Sequence, residues 1–174
     1  MAAWSPGTSA SEGLYELTTA RVKSTIYNQA ARILARRAHS REELRRKLLR
    51  KWDSSQVEVV LGRFEELGYL NDEEFACLRA RSQRSLKHWG NHRIRADLKS
   101  RGLDAKIIEL ALTRLEAELP EVDSLHQLTQ NWIRRYGSPT SVSQLKRLFD
   151  RCVRMGYSPE QVRTELETYF RRLY

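Results

Sequence analysis

The chain has 174 residues, with four prolines, eight glycines and a net charge of +9. That length is enough to bury substantial cores, and so few turn-formers suit helices better than a β-sandwich. No run of about eighteen apolar residues occurs, so no helical membrane span is expected. The opening MAAWSPGTSASEG lacks a basic segment followed by an apolar one, and residues 1–23 read as a disordered leader rather than a secretory signal.

Ser24 or Thr25 is expected to start the first helix, with Ile26, Ala30, Ile33, Leu34 and Arg37 on one stripe. Ser40 caps the second, and Glu43 three residues on completes a capping box. That helix should bury Leu44, Leu48 and Trp52 and turn Arg41, Arg45, Arg46, Lys47 and Arg50 outward. The third carries Val57, Val60, Leu61, Phe64 and Leu67 and stops at Gly68. Asn71 caps a fourth, with Phe75, Leu78, Ser82 and Leu86 sharing a side. Trp89-Gly90-Asn91 breaks it, a short fifth helix turns Ile94 and Leu98 inward, and Gly102 ends that helix as a left-handed residue. Asp104 caps the sixth, which carries Ile108, Ala111, Leu112 and Leu115. After Pro120, a seventh helix carries Leu125, Leu128, Trp132 and Tyr136 to Gly137. An eighth carries Leu145, Leu148, Phe149, Cys152 and Val153 to Gly156. Ser158 caps the ninth, with Pro159 at its first position and Val162, Leu166, Tyr169 and Phe170 inward.

Aligned with itself, the chain repeats at a spacing of about fifty residues. Lys51-Trp52-Asp53-Ser54 falls on Gly102-Leu103-Asp104-Ala105 and on Gly156-Tyr157-Ser158-Pro159. Val57, Ile108 and Val162 coincide, as do Leu61, Leu112 and Leu166. Upstream, Leu44 and Leu48 match Ile94 and Leu98, then Leu148 and Cys152. The reading is an all-α protein of nine helices in three tandem three-helix repeats, 24–69, 70–118 and 119–174.

Charge follows the repeat. Residues 32–51 carry +7, 53–76 carry −6, 79–101 carry +7, 103–130 carry −4 and 131–174 carry +5. The first two helices of a repeat are basic and the third is acidic or mixed, a layout that can set positive faces in a row along a stacked array. Cys77 and Cys152 are far apart on apolar stripes, which suits reduced core thiols and a cytoplasmic setting.

No catalytic or metal constellation emerges. His39, His88, His92 and His126 are scattered, and Gly90 interrupts the helical spacing of His88 and His92, with no acidic or cysteine partner nearby. There is no phosphate-cradling glycine loop and no nucleophile elbow. Asp72, Glu73 and Glu74 fall where a helix N-terminus favours negative charge. A non-enzyme without a cofactor is expected. The basic clusters remain: Arg36, Arg37, Arg41, Arg45, Arg46, Lys47 and Arg50, then Arg93, Arg95, Lys99 and Arg101. They suit either a solvated surface or one that binds a polyanion or acidic protein. Trp89, beside the second cluster, either stacks on a base or packs on a neighbouring unit, and its place in a helix–helix loop favours packing.

Four segments, AARILARRAHSREELRRKLLRKW, RFEELGYLNDEEFA, GNHRIRADLKSRGLD and LKRLFDRCVRMGYSPEQV, resemble the RecX family of bacterial regulators of the RecA recombinase. The resemblance spans roughly residues 24–172. Its specific carriers are Gly-Tyr-Leu before an acidic pair and Phe, and the Gly-x-x-Arg-Ile-Arg run. Family members commonly carry Lys-Gly before an aromatic where Lys51 here meets Trp52 directly, one residue short of the second repeat; the departure bears on the helix cap there, not on the fold. The resemblance implies an elongated, curved array of three-helix units, acting as a monomer, that binds RecA filaments on DNA, lies along the filament groove and restrains strand exchange, ATP hydrolysis and co-protease activity. On that reading Arg41, Arg45, Arg46, Arg93, Arg95 and Lys99 contribute most, acting together and with strong salt dependence. The competing reading is a stand-alone DNA-binding helical module. It lacks a clear recognition helix with base-reading Asn or Gln beside Arg.

Overall fold

The computed structural model describes residues 25–173, so the expected leader and any role of Ser24 lie outside the described residues. All regular structure in this range is helical: α1 over 25–34, α2 Arg41–Leu48, α3 Ser54–Glu66, α4 Asp72–Lys87, α5 Asn91–Ser100, α6 Ala105–Glu118, α7 Glu121–Tyr136, α8 Val142–Arg154 and α9 Pro159–Leu173. The chain divides into two compact units, one running to Asn71 and the other starting at Asp72. The first holds one helix triplet, α1–α3. The second holds two, α4–α6 and α7–α9. No described helix is long and apolar enough to cross a membrane.

Each triplet has its own core. In the first, Ile26, Ala30, Leu44, Leu48, Val57, Val60, Leu61, Phe64 and Leu70 cluster. The positions aligned by the internal repeat are buried in every copy: Leu44 with Ile94 and Leu148, Leu48 with Leu98 and Cys152, Val57 with Ile108 and Val162, and Leu61 with Leu112 and Leu166. Burying each large aliphatic side chain contributes about 2 kcal/mol. Equal burial at equal offsets gives three copies of the same packing solution. Cys77 and Cys152 are free thiols, and burial pushes the Cys152 thiol up to about 12.

Local polar chemistry sets the helix starts. Ser40 Oγ accepts from Glu43 N at 3.1 Å while Glu43 reaches back to Ser40 N. Ser158 and Gln161 make the same reciprocal pair at α9, at 3.1 and 2.9 Å. Asp104 caps α6 through Lys106 N. Asp53, the matching residue of the first triplet, makes no such bond.

The helix ends also separate the first triplet from the others. Gly102 and Gly156 take positive φ, and the next residue bonds back five positions, Leu103 N to Leu98 O and Tyr157 N to Cys152 O. With one residue fewer, Trp52 N bonds back only four positions to Leu48 O, and Lys51 has no left-handed backbone. The shorter turn still delivers Trp52 to the edge of its core.

Four expectations are corrected. In α4 the inward face is Phe75, Ala76, Ala80, Gln83 and Arg84, while Leu78 and Leu86 are 57% and 76% exposed. Small alanines let α6 approach α4 closely, and this gain outweighs burying the leucine stripe. Leu67 and Tyr136 end their helices exposed, because the chain turns away from the core there. Arg37 lies beyond the described end of α1 and is exposed.

Within the second unit, Gly90 comes against the backbone of Gly156, and a Cβ at Gly90 would collide with the Gly156 carbonyl. Gly90 has φ −75, so alanine brings no backbone strain there, and the collision is the whole effect. Gly90→Ala should therefore destabilise the chain by about 2 kcal/mol. Urea denaturation checks this, and wild-type stability would show that the close approach is not held in solution.

Candidate functional site

Within the first unit, the alternation of charge becomes ion pairing between helices. Arg41 reaches Glu58 at 2.7 Å and Glu65 at 2.8 Å, and Arg45 Nε reaches Glu58 Oε1 at 2.7 Å. The bonds from Arg45 and Arg41 hold the Glu58 carboxyl below its usual range. Arg46 pairs with Glu42 at 2.8 Å and Arg37 with Glu43 at 3.1 Å. Arg36 and Arg50 are exposed and form no ion pair among the described residues. Arg36, Arg37 and Lys47 come together with Arg32 around a hollow of about 390 Å³ that no carboxylate lines. His39 lies buried beside it, its Nδ1 2.8 Å from Arg37 O and its Nε2 2.7 Å from Lys47 Nζ. Burial lowers its pKa, in keeping with a neutral ring that donates through Nδ1 and accepts from the Lys47 ammonium.

The second cluster divides in the same way. Arg95 makes a two-pronged bond to Glu109, at 2.7 and 3.0 Å, in repeat register with Arg45 and Glu58. Arg79 and Arg101 both bind Asp97, with closest contacts of 2.9 and 3.1 Å. Lys99 is exposed and without an ion pair among the described residues. Trp89 packs against the α4–α6 core, its ring centroid 4.3 Å from the Arg93 guanidinium and 4.9 Å from Lys87 Nζ. Arg93 Nη1 also donates to Arg154 O at 3.1 Å.

Arg93 thus belongs to a junction between the two triplets of the second unit, which the sequence reading did not identify. Gly90 N donates to Met155 O at 2.8 Å and His92 N to Gly156 O at 3.1 Å, so amides at the start of α5 bond carbonyls at the end of α8. Opposite helix-dipole ends meet there. Beneath, buried Glu121 accepts from Asn91 N at 2.6 Å, from Asn91 Nδ2 at 2.8 Å and from Gln161 Nε2 at 3.0 Å. Fully buried Arg84 donates to Asn91 Oδ1 at 2.5 Å. Tyr157 OH donates to the carbonyl of His88, a residue held at φ 51. Burial pushes the Tyr157 phenol well above its usual range. Charged residues such as Arg84 and Glu121, each buried inside an apolar helix pattern, are the signal that could have revealed it.

Two outcomes follow from these geometries. Removing the Glu121 carboxylate leaves the Asn91 N, Asn91 Nδ2 and Gln161 Nε2 donors without their acceptor, so Glu121→Ala should cost about 3 kcal/mol in urea denaturation, and a milder loss is expected for Glu121→Gln. For Asp97, burial acts to raise the carboxyl pKa, but the bonds from Arg79 and Arg101 outweigh it and leave it below 3.8. A depressed folded-state value stabilises the fold above the ordinary carboxyl range, and that stability is lost as pH falls toward the folded-state value. Asp97→Asn should flatten the acid limb of the stability–pH curve below about pH 4 and leave the slope above neutrality unchanged.

Comparison with known proteins follows this geometry closely. Residues 27–64 match the model described as RecX, first three-helix domain, and residues 71–112 match RecX, second three-helix domain. A Regulatory protein RecX from Syntrophotalea carbinolica is 30% identical over 138 residues, covering 78% of this chain and 90% of that one. One from Xanthomonas axonopodis pv. citri is 32% identical over 144 residues, covering 81% and 85%. The crystal structure of RecX from Lactobacillus salivarius superimposes with a TM-score of 0.75 at 21% identity, over 86% of this chain and 97% of that one, a likeness of fold. With matching triplets and near full-length relatives, the chain belongs to the RecX family of regulatory proteins.

Proposed function

We propose that this protein binds the RecA recombinase and its filaments on DNA and restrains their strand exchange, ATP hydrolysis and co-protease activity. It acts by binding, without turning over a substrate, and as a cytoplasmic monomer. The observation that carries the reading is the similarity to regulatory RecX proteins over most of both chains. The charge distribution supports it. A filament on DNA presents phosphates and acidic protein faces repeatedly, and a chain with repeated basic triplets gains by making several weak contacts at once.

The ion pairing refines which cations make those contacts. A guanidinium already held by a carboxylate at 2.7 Å, as in Arg41, Arg45 and Arg95, must give up that bond to reach a phosphate. Arg36, Arg50 and Lys99 have no such competition among the described residues, and Arg32 and Lys47 share the Arg36 hollow. These are the contact charges. Arg37 and Arg46 are more than half exposed in their pairs and can exchange partners at a cost within about 1 kcal/mol. Arg93 and Arg101 serve mainly the fold.

The stand-alone DNA-binding reading makes a different demand, namely tight binding to naked duplex without the recombinase. The test is RecA ATP turnover on single-stranded DNA with purified protein added. Reversing Arg36, Arg50 and Lys99 to Glu should weaken inhibition about tenfold at low salt with an unchanged thermal melt. If wild-type protein leaves ATP turnover unaffected while retaining duplex in a gel shift, the regulatory assignment fails.

A further inference from the structure

The internal repeat breaks in one chemical respect in the third triplet. Arg45 and Arg95 follow the first buried residue of their second helices, and Glu58 and Glu109 occupy the facing site on the third helices. Carried one repeat further, those positions hold Phe149 and Arg163. The acidic partner has become a cation, and the inter-helix pair is gone. Of the carboxylates of α9, Glu165 is engaged with His126 and Thr129, and Glu167 with Arg171.

α8 is left with Lys146, Arg147, Arg151 and Arg154, none of them in an ion pair among the described residues. Arg147, Arg151 and Arg154 are spaced by four and three residues and share one helical face. Two adjoining hollows, of about 430 and 440 Å³, open along this face between α7 and α8. Trp132, Tyr136 and Arg151 line both. Arg135 and Lys87 line the first, Arg147 and Arg154 the second, and no carboxylate lines either. Trp132 and Tyr136, one helical turn apart, form a tilted ring pair with centroids 5.3 Å apart, and Tyr136 is 60% exposed.

We propose that this groove binds single-stranded nucleic acid, with successive phosphates on Arg147, Arg151 and Arg154 and a base stacked against Tyr136 and Trp132. Unpaired cations crowded on one face repel one another, and a bound polyanion relieves that repulsion. The exposed Tyr136 ring, backed by the partly buried Trp132, sits beside the cations and matches the alternation of phosphate and base along a single strand, whose unpaired bases are free to turn onto it. In a duplex the bases are stacked inward, and an acidic peptide would leave the rings unpartnered. The proposal deepens the reading above and rests on it for the source of the strand, the DNA of a recombinase filament.

The test uses the full chain and fluorescein-labelled oligo-dT without recombinase, followed by anisotropy across a salt series. Arg147→Glu with Arg151→Glu should weaken binding at least about tenfold and make the logarithmic salt dependence shallower by about 1.4, as expected for two lost single-strand phosphate contacts. Tyr136→Ala should weaken binding about fivefold or more without changing the salt slope, and Tyr136→Phe should restore it. Both sites lie at the surface, and circular dichroism melts should overlay the wild type. Wild-type binding by a folded R147E/R151E protein overturns the proposal, as does displacement of the oligonucleotide by polyglutamate but not by unlabelled oligo-dT. ATPase inhibition is read separately. A wild-type chain that binds oligo-dT through this groove but does not slow RecA sinks the regulatory reading alone, and loss of the groove result with inhibition intact sinks the groove alone.

Discussion

Two helix ends meet in the second unit, and the remaining features of that unit depend on the contact. Amides at the start of α5 need acceptors and carbonyls at the end of α8 need donors, and each supplies the other at 2.8 to 3.1 Å. Such proximity requires Gly90 and Gly156 to lack side chains. The amide of Asn91 takes Glu121, and the Asn91 side chain in turn accepts from the buried Arg84, whose ion pair is with Glu116 at 3.9 Å. Asn91, Glu121 and Gln161 bond one another there, which joins two triplets that each already have an apolar core.

The charge pattern has two consequences. Inside a triplet, the opposite signs of the second and third helices are spent on one another, Arg41 and Arg45 on Glu58, Arg95 on Glu109. These pairs register one helix on the next at modest energetic gain, since they lie near water. Among the cations left over are Arg36 and Arg50 in the first unit and, in the second, Lys99 and the run on α8. Repetition therefore serves folding and function differently. Apolar positions recur without change because each triplet must solve the same packing problem. The ionic lock recurs twice and is then exchanged, and the third triplet acquires an unneutralised basic groove with aromatic rings.

On the function proposed above, the protein gains from many modest contacts more than from one strong one, and surface cations separated by ion-paired ones suit that. The paired arginines keep helix faces in register, and the unpaired ones remain available to phosphate. The groove proposed between α7 and α8 adds to its charge the rings of Trp132 and Tyr136, on which a base could stack.

Most of the architecture was legible in the sequence. Apolar residues at helical spacing, capping residues such as Ser40 and Ser158, and glycines at Gly102 and Gly156 act within a few residues of one another, so linear order determines helix existence and most boundaries. The internal repeat likewise identified core positions, because a residue buried in one copy is buried in the others. Tertiary structure alone decided what depends on two distant segments meeting. The face of α4 turned inward by Ala76 and Ala80 depends on how closely α6 can approach, and the burial of Arg84 depends on Asn91 and Glu116 arriving beside it. Whether an arginine is held by a carboxylate was equally invisible in linear order, because folding brings Glu58 within reach of Arg45 while Arg50 has no ion pair among the described residues.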